Sequence, residues 1–466
     1  MRLITCSNSA PQWGESTGML PRSPGGLVPI LITLLQQHGG QWIFAAPRDS
    51  DGEAPARLGD SVLLHPVHVP PRISRQHYEL VGIRLLLWLF HYLHDTSRLP
   101  TFDADLAEAW TGYEMANRAF AERLAAVSEN SADEFILVND YHLFLVPAFL
   151  AKQAPRRAGR LAFFHGIPWC EPEYFGILPP RIRNAILESL LQCDVLGFHA
   201  RRWADAFLAC CARFVDGADI RHRTVSYRDR ESTVVVAPFP LDVAVLEGMK
   251  TGIVTERWHA TLSRLAQGRR VVARAERLDL WKNLPRGFAA YESLLERRPG
   301  LANDWWFCAV VTSPSRTTER SRAYQTLCEK TVSRINDRFG SENRPAVTLV
   351  YPGPGTGSRN CVVAALGISD ATLVNPTFDG LNLVAKEAML LAEKAPLLLS
   401  VNSGVHEQLA PYVTSIHPFD LESTGAALAA AVDSAPSATA AGSDQCRELL
   451  RKESLADWLG KLFPTP

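Results

Sequence analysis

Short apolar runs alternate with helix-like stretches along the whole chain. Strand-like runs in the first half are Leu3–Cys6, Phe135–Val138, Leu161–Phe164, Val195–Phe198 and Thr233–Ala237. The second half repeats the pattern with Val271–Ala275, Phe307–Val311, Thr348–Tyr351, Ala371–Val374 and Leu397–Ser400. This alternation predicts an α/β fold built on parallel sheets. Pro238 and Pro240 interrupt it, which divides the chain into two doubly wound, Rossmann-like domains, 1–243 and 244–445, facing a cleft. Ser434–Asp444 reads as a small-residue linker before a final helix, Leu449–Leu462, within the segment 446–466.

Ligands of such sheets sit beyond the carboxyl ends of the strands. Asp140, His165, Arg277 and Asp379 each fall just after a predicted strand, so all four can face the cleft. The stretch Asn375–Met389, NPTFDGLNLVAKEAM, joins a strand end, a turn at Gly380 and a helix that runs from Asn382 through Leu383, Ala385 and Met389. The first N–H groups of that helix are unpaired and carry the positive end of its dipole, which suits a diphosphate. Asp379 and Glu387 put one carboxylate at the mouth of the loop and another about two turns into the helix. A DG turn alone is also what any strand-loop-helix unit would show.

Arg277 and Lys282 follow the strand Val271–Ala275. A planar guanidinium and a compact ammonium there could stabilise the charge that grows on a departing nucleoside diphosphate. A strand-end RLDxxK is equally the composition of a surface ion-pair cluster. Asp140 in NDYH reads either as an acceptor-side hydrogen-bonding group or as a helix N-cap. His91 and His94 have no third ligand at a useful spacing, and Asp103 and Asp105 sit in a polar loop, so no metal is expected.

Composition narrows the class. Hydrophobic content of 47% and charged content of 21% are those of an ordinary globular protein, and 466 residues can bury two cores. A formal net charge of −1 gives no reason to expect nucleic acid or a membrane surface as partner. Nine cysteines without a CxxC pair indicate neither zinc nor a disulfide framework; Cys210 and Cys211 read as buried helix residues. The N-terminus lacks the apolar core of a signal peptide, and the run Leu85–Phe90 is too short to span a bilayer, so a cytoplasmic location is expected. No GxGxxG follows Leu3–Cys6, which counts against a nicotinamide or flavin dehydrogenase.

The segments SPGGL at Ser23–Leu27, VNDYHLFLVPAFL at Val138–Leu150, FFHGIPWCEPEYFGILP at Phe163–Pro179, LLQCDVLGFH at Leu190–His199, ERLDLWKNLPRGFAAYESLLERRP at Glu276–Pro299 and DGLNLVAKEAM at Asp379–Met389 occur in this order. Together they resemble the trehalose-6-phosphate synthase and glucosylglycerol-phosphate synthase family of retaining glycosyltransferases, from about residue 2 to about residue 420. The resemblance implies the two-domain GT-B fold, with the last helix returning to the first domain. It also implies metal-independent transfer from a nucleotide sugar of GDP or UDP type, with no bound cofactor. On this resemblance Arg277 and Lys282 take the donor diphosphate, approached also by the backbone of Gly25 and Gly26. Glu387 takes the ribose, and Asp379, Gly380, Asn382, Leu383 and Val384 take the sugar and diphosphate. His165 and Gly166 lie at the donor sugar, and Asp140 acts on the acceptor side without becoming a covalent nucleophile. Small molecules are the implied partners, and homo-oligomerisation is left open.

Departures from the family bear on the substrate. The family's opening strand ends Ser-Asn-Arg, whose arginine grips an acceptor phosphate, whereas this chain reads Ser7-Asn8-Ser9. Losing that charge-assisted fork removes roughly 1.5–3 kcal/mol from phosphate binding. Trehalose-6-phosphate synthases carry histidine where Gly166 stands, with His165 one place early, which opens space beside the donor sugar. An aromatic that usually follows Trp42 aligns with Ala45 or Ala46. The preferred reading is therefore a specialised-metabolite enzyme with a non-phosphorylated acceptor bound near Ser9, Tyr78, Trp88, Asp140 and Arg316. Members of lincomycin biosynthesis that join a GDP-activated octose to the sulfur of ergothioneine exemplify it, with aromatic faces among Tyr78, Trp88 and Phe90 for the trimethylammonium group. The alternatives are a trehalose-6-phosphate or glucosylglycerol-phosphate synthase, a pseudoglycosyltransferase forming a C–N bond, and a non-catalytic regulatory subunit.

Overall fold

The computed structural model describes residues 2–9, 12–14, 18–20, 26–46, 57–155, 157–314, 318–353, 357–392, 395–434 and 440–464. Two compact units result, Met1–Pro238 with Leu455–Pro466, and Phe239–Ser454. The division falls a few residues before the 243/244 boundary read from sequence. Phe239 belongs to the second unit because its carbonyl accepts from Lys386 Nζ at 2.8 Å. The expected terminal helix is in fact two, Ala440–Lys452 and Leu455–Leu462, and the first begins inside the predicted linker. Only the second helix belongs to the first unit, where Trp458 Nε1 donates to Ala237 O at 3.0 Å.

The first unit holds a ten-stranded sheet. Its order is Asp219–Arg221, Thr224–Tyr227, Arg230–Val236, Val195–Phe198, Arg160–His165, Glu134–Asn139, Arg2–Ser7, Gly40–Ala45, Val62–Val67 and Arg57–Leu58. The central strands are parallel and an antiparallel ribbon closes each edge. The chain winds outward from Arg2–Ser7 in one direction, then restarts beside it with Glu134–Asn139, pairing Ser7 with Asn139. That reversal is a topological switch point, where an open α/β sheet leaves a crevice at its carboxyl edge.

The second unit holds a six-stranded sheet, wholly parallel: Val347–Val350, Trp305–Thr312, Arg270–Arg277, Ala371–Val374, Leu397–Ser400 and Thr414–Ile416. Here the switch point lies between Arg270–Arg277 and Ala371–Val374. Fully buried apolar runs such as ATLV and LLLS form these strands because helices cover both faces. Helix Leu284–Arg297 packs its Phe288, Tyr291 and Leu295 face onto Phe307, Leu373 and Leu398 of the sheet. Among the described residues no helix is long and apolar enough to cross a membrane.

Candidate active site

In the second unit the switch point gathers charge. Strand Arg270–Arg277 ends in a turn held by Leu278 N to Thr312 O at 3.0 Å, and a short 3₁₀ helix, Leu280–Lys282, brings Lys282 back over the sheet edge. Lys282 Nζ lies 2.5 Å from Asp379 Oδ2 and 3.4 Å from Glu276 Oε2. Asn382 Nδ2 donates to the same Asp379 oxygen at 3.0 Å. Burial lowers the Lys282 pKa, but Asp379 and then Glu276 push it the other way, and the net shift is upward, so the ammonium is held charged. Arg277 differs: its side chain is 38% exposed, and Nε bonds Asp279 Oδ2 at 2.8 Å. Its remaining N–H groups keep the fork geometry that suits an oxyanion.

The loop Asn375–Leu381 is rigidly tied. Thr377 N donates to Trp281 O at 2.8 Å, Asp379 N to Asn402 O at 3.2 Å, and Gly404 N to Asp379 O at 2.9 Å. Asn382 then caps the helix Leu383–Leu391 from the left-handed region, φ 79°, and its Oδ1 accepts from Ala385 N. Asparagine is among the few residues that adopt this conformation readily. Leu383 and Val384 follow as the first helical residues, the positions whose N–H groups an α-helix leaves without intrahelical partners. Glu387 is buried on the same helix, where Arg359 Nη2 reaches its Oε1 at 2.7 Å. Gly380 is buried in the loop between Asp379 and the cap. Sequence reading did not find Arg359, Asn283 or Glu276. Asn283, also left-handed at φ 61°, ties the site's two loops through Nδ2 to Asn375 O and Pro418 O, both at 2.9 Å.

In the first unit, Ser9 and Asp140 follow the strands on either side of the other switch point. Ser9 is exposed, and its carbonyl accepts from Ser7 Oγ, which itself accepts from Trp42 Nε1 at 2.9 Å. Asp140 holds φ 72° and ψ 163°, a conformation that side chains rarely adopt. Its N–H donates to Phe164 O at 2.9 Å and its Oδ1 accepts from Gly166 N at 3.3 Å. The N-cap alternative fails, because the Asp140 side chain makes no capping bond to the 3₁₀ helix that follows. Burial pushes the Asp140 carboxyl up to about 6, against the lowering effect of the Gly166 and Tyr141 amides. A buried network that sequence reading missed lies beneath it. Tyr113 Oη donates to Tyr141 O at 2.6 Å, and Asn117 bonds both His142 O and Leu145 N.

Not every predicted residue lies where expected. His165 is enclosed by Phe90, Phe144, Trp169 and Phe198, and its Nε2 bonds Pro168 O at 3.1 Å. Burial drives its pKa down to about 3. Strand alternation turns it into this aromatic core, so the expected donor contact is corrected: the side chain has no accessible face. Phe90 is 0% exposed in the same core and offers no face to a cation. Tyr78 stacks on His142 and Trp88 meets His94 edge-on, both partly exposed. Gly166 would accept a Cβ at ordinary contact distances, 3.8 Å from His199 Nε2 and 3.9 Å from Asp140 Oδ1. Gly26 caps helix Leu27–His38 with φ 91°. Gly25 and Arg316 lie outside the described residues. Asp103 caps helix Ala104–Val127 through Leu106 N, with Asp105 in its first turn. Among the described residues no group of three His, Cys, Asp or Glu side chains could hold a metal ion.

The model of glycosyltransferase family 20 matches residues 3–465. The chain belongs to this family. It is thus a retaining glycosyltransferase of the trehalose-phosphate synthase type, and the non-catalytic alternative falls. An alpha,alpha-trehalose-phosphate synthase [UDP-forming] 2 of Aspergillus niger is 28% identical over 99% of this chain and 96% of its own. A validamine 7-phosphate valienyltransferase of Streptomyces hygroscopicus subsp. jinggangensis is 30% identical over 96% of this chain and 89% of its own. A solved trehalose-6-phosphate synthase, OtsA, superposes with a TM-score of 0.88 at 24% identity, covering 100% of both chains. The two-domain α/β fold with parallel sheets is the one shared with that structure.

Proposed function

We propose that the protein transfers a sugar from a nucleoside-diphosphate donor, with retention, to an acceptor that carries no phosphate. The observation that carries the donor half is the convergence of Lys282, Arg277, Asp379 and the helix start Asn382–Val384 on one switch point. Two cations and open helix amides suit a diphosphate, and a buried carboxylate two turns on suits ribose hydroxyls. Within this reading Arg277 and Lys282 bind the leaving diphosphate, Asp379 the sugar, and Glu387 the ribose.

The acceptor half rests on Ser9, which supplies no charge at the position where family members place arginine. Asp140 supports it: a carboxylate aimed beside that strand end accepts hydrogen bonds from a hydroxyl, thiol or amine, and repels a phosphate. The specific form we put forward is a GDP-activated octose transferred to the sulfur of ergothioneine. The absence of a side chain at Gly166 and the partly exposed rings of Tyr78 and Trp88 support it. A second reading, in which the acceptor is phosphorylated and C–N bond formation is included, is favoured by the validamine 7-phosphate valienyltransferase relative.

A melting-shift screen with GDP, UDP and ADP tests the donor. A ligand at 100 times its dissociation constant stabilises the fold by about 2.7 kcal/mol, and no shift with any of the three would overturn the assignment. Turnover of GDP- and UDP-sugars with ergothioneine or glucose-6-phosphate then separates the two readings. Ergothioneine is expected to outpace glucose-6-phosphate, and the reverse order returns the protein to a phosphorylated acceptor.

A further inference from the structure

Behind Lys282 lies a buried ionic pair that the proposed donor chemistry does not itself use. Arg274 and Glu276 sit two apart on strand Arg270–Arg277 and so share one face of the sheet. Arg274 is 0% exposed, and its Nη2 donates to the carbonyl of Lys282 at 2.8 Å. Glu276 Oε1 lies 3.8 Å from that same nitrogen, and Oε2 lies 3.4 Å from Lys282 Nζ. Neither oxygen of Glu276, nor Nε or Nη1 of Arg274, has a hydrogen-bond partner within the protein. The neighbouring helix makes room for the guanidinium with Gly287, where a Cβ would stand 2.3 Å from Arg274 Nη1.

Four charges are therefore packed together: Arg274 and Lys282 against Glu276 and Asp379. A buried carboxylate with no full hydrogen-bond set is costly unless its charge has a use. In the free protein Asp379 is the nearer partner of Lys282, yet the proposed donor needs Asp379 for its sugar hydroxyls. Glu276 is the anion that stays.

We propose that Arg274 and Glu276 are positioning residues for sugar transfer: Arg274 fixes the main chain of Lys282, and Glu276 keeps its ammonium charged and aimed at the donor diphosphate when Asp379 turns to the sugar. The proposal rests on the diphosphate role assigned to Lys282. It accounts for a buried glutamate, 4% exposed, set against the Lys282 ammonium.

The test is calorimetric binding of the nucleotide sugars GDP-glucose and UDP-glucose between pH 7 and pH 11 to wild type, Glu276→Gln, Glu276→Asp and Lys282→Ala, with folding checked by thermal melts. Glu276→Gln removes one anion beside the ammonium, so nucleotide-sugar affinity should start to fall about 1–3 pH units lower than in wild type. Glu276→Asp keeps the charge but withdraws it by one methylene, and should move the same limb by less. Should Glu276→Gln not fold, the aspartate variant decides, because an unmoved limb there also overturns the proposal. Lys282→Ala separates the two levels of inference. If it binds both nucleotide sugars as wild type does, the diphosphate role is wrong and the positioning role falls with it. If it binds weakly while both Glu276 variants follow the wild-type profile, the positioning role alone is wrong.

Discussion

Lys386 Nζ lies 2.6 Å from Glu453 Oε2, and the same ammonium donates to Phe239 O at 2.8 Å. Phe239 opens the second unit and Glu453 stands one residue before its end, so one buried lysine ties both ends of that unit to the helix carrying Glu387. Gln408 Nε2 completes the arrangement by donating to Glu453 Oε1 at 2.9 Å. Breaking a buried ion pair by removing one partner typically costs about 3–5 kcal/mol, since the other charge is left uncompensated. Lys386→Ala should therefore lower the denaturant midpoint of the second unit markedly. Glu453→Gln, which keeps a hydrogen-bond acceptor, should cost less. Equal stability of Lys386→Ala and wild type in urea would show that the tie carries no weight.

Arg277 and Lys282 should separate when each is replaced by alanine. Both variants are expected to lose about 100- to 1000-fold in turnover, the 2.7–4 kcal/mol typical of one contact to charge that grows in the transition state. Lys282→Ala should lose more stability, because it takes the cation from Asp379 and leaves Glu276 with Arg274 Nη2 at 3.8 Å. Arg277 is partly exposed, and its loss removes one ion pair, that with the buried Asp279. Turnover and melting temperature measured on both variants check the pair, and near-normal turnover in both would remove the diphosphate role.

Short, mostly apolar strands were readable residue for residue: Val195–Phe198, Ala371–Val374 and Leu397–Ser400 have the bounds that their runs predict. Gly40–Ala45 and Val62–Val67 escaped because Gln41 and the His65-Pro66 pair disguise them, although the strands pair in parallel next to the first. The π-helical stretch Arg75–Leu87 buries Gln76 and His77 and then, apart from Arg84, every residue from Val81 to Leu87, which follows neither the helical nor the strand period. Of the candidate site, residues at strand ends were recoverable from order alone. Arg359 and Glu276 were not, since what makes them matter is a partner 28 residues away in the one case and a burial that no local pattern signals in the other. His165 shows the opposite error: a strand-end position suggested exposure, and the side-chain alternation placed it inward.

Asp140 should set the acid limb of the reaction. Its folded pKa is raised to about 6 by burial, above the value of an exposed aspartate. As an acid with a raised folded pKa, it costs stability as pH climbs from the unfolded value through about 6, and the cost is fully present above that. If Asp140 takes the proposed acceptor-side role, its ionised form accepts the hydrogen bond, and kcat/KM for the acceptor should rise through about pH 6. Asp140→Asn should abolish that limb, lower turnover, and slightly raise stability at neutral pH. A profile flat from pH 5 to 8 in wild type, with substrate saturating its donor site, would exclude Asp140 from the acceptor step.

On the proposed reading, Gly166 sets how large a donor sugar can be. Its Cβ position meets only ordinary contacts at 3.8 and 3.9 Å, and its backbone needs no conformation reserved for glycine. Gly166→Ala and Gly166→His should accordingly fold as wild type does. A histidine there would fill space that we assign to the far end of the donor sugar. Overpacking of this kind costs about 1–3 kcal/mol, so a GDP-octose should bind about 5- to 150-fold more weakly to Gly166→His. GDP has no sugar, and its proposed contacts lie with Arg277, Lys282 and Glu387, so its affinity should stay within about twofold. GDP-glucose should fall between the two. Competition binding of the three ligands to wild type and both variants checks the order. Equal losses for all three would mean that the substitution acts through the Gly166 N–H bond to Asp140. The large-donor assignment would then be withdrawn.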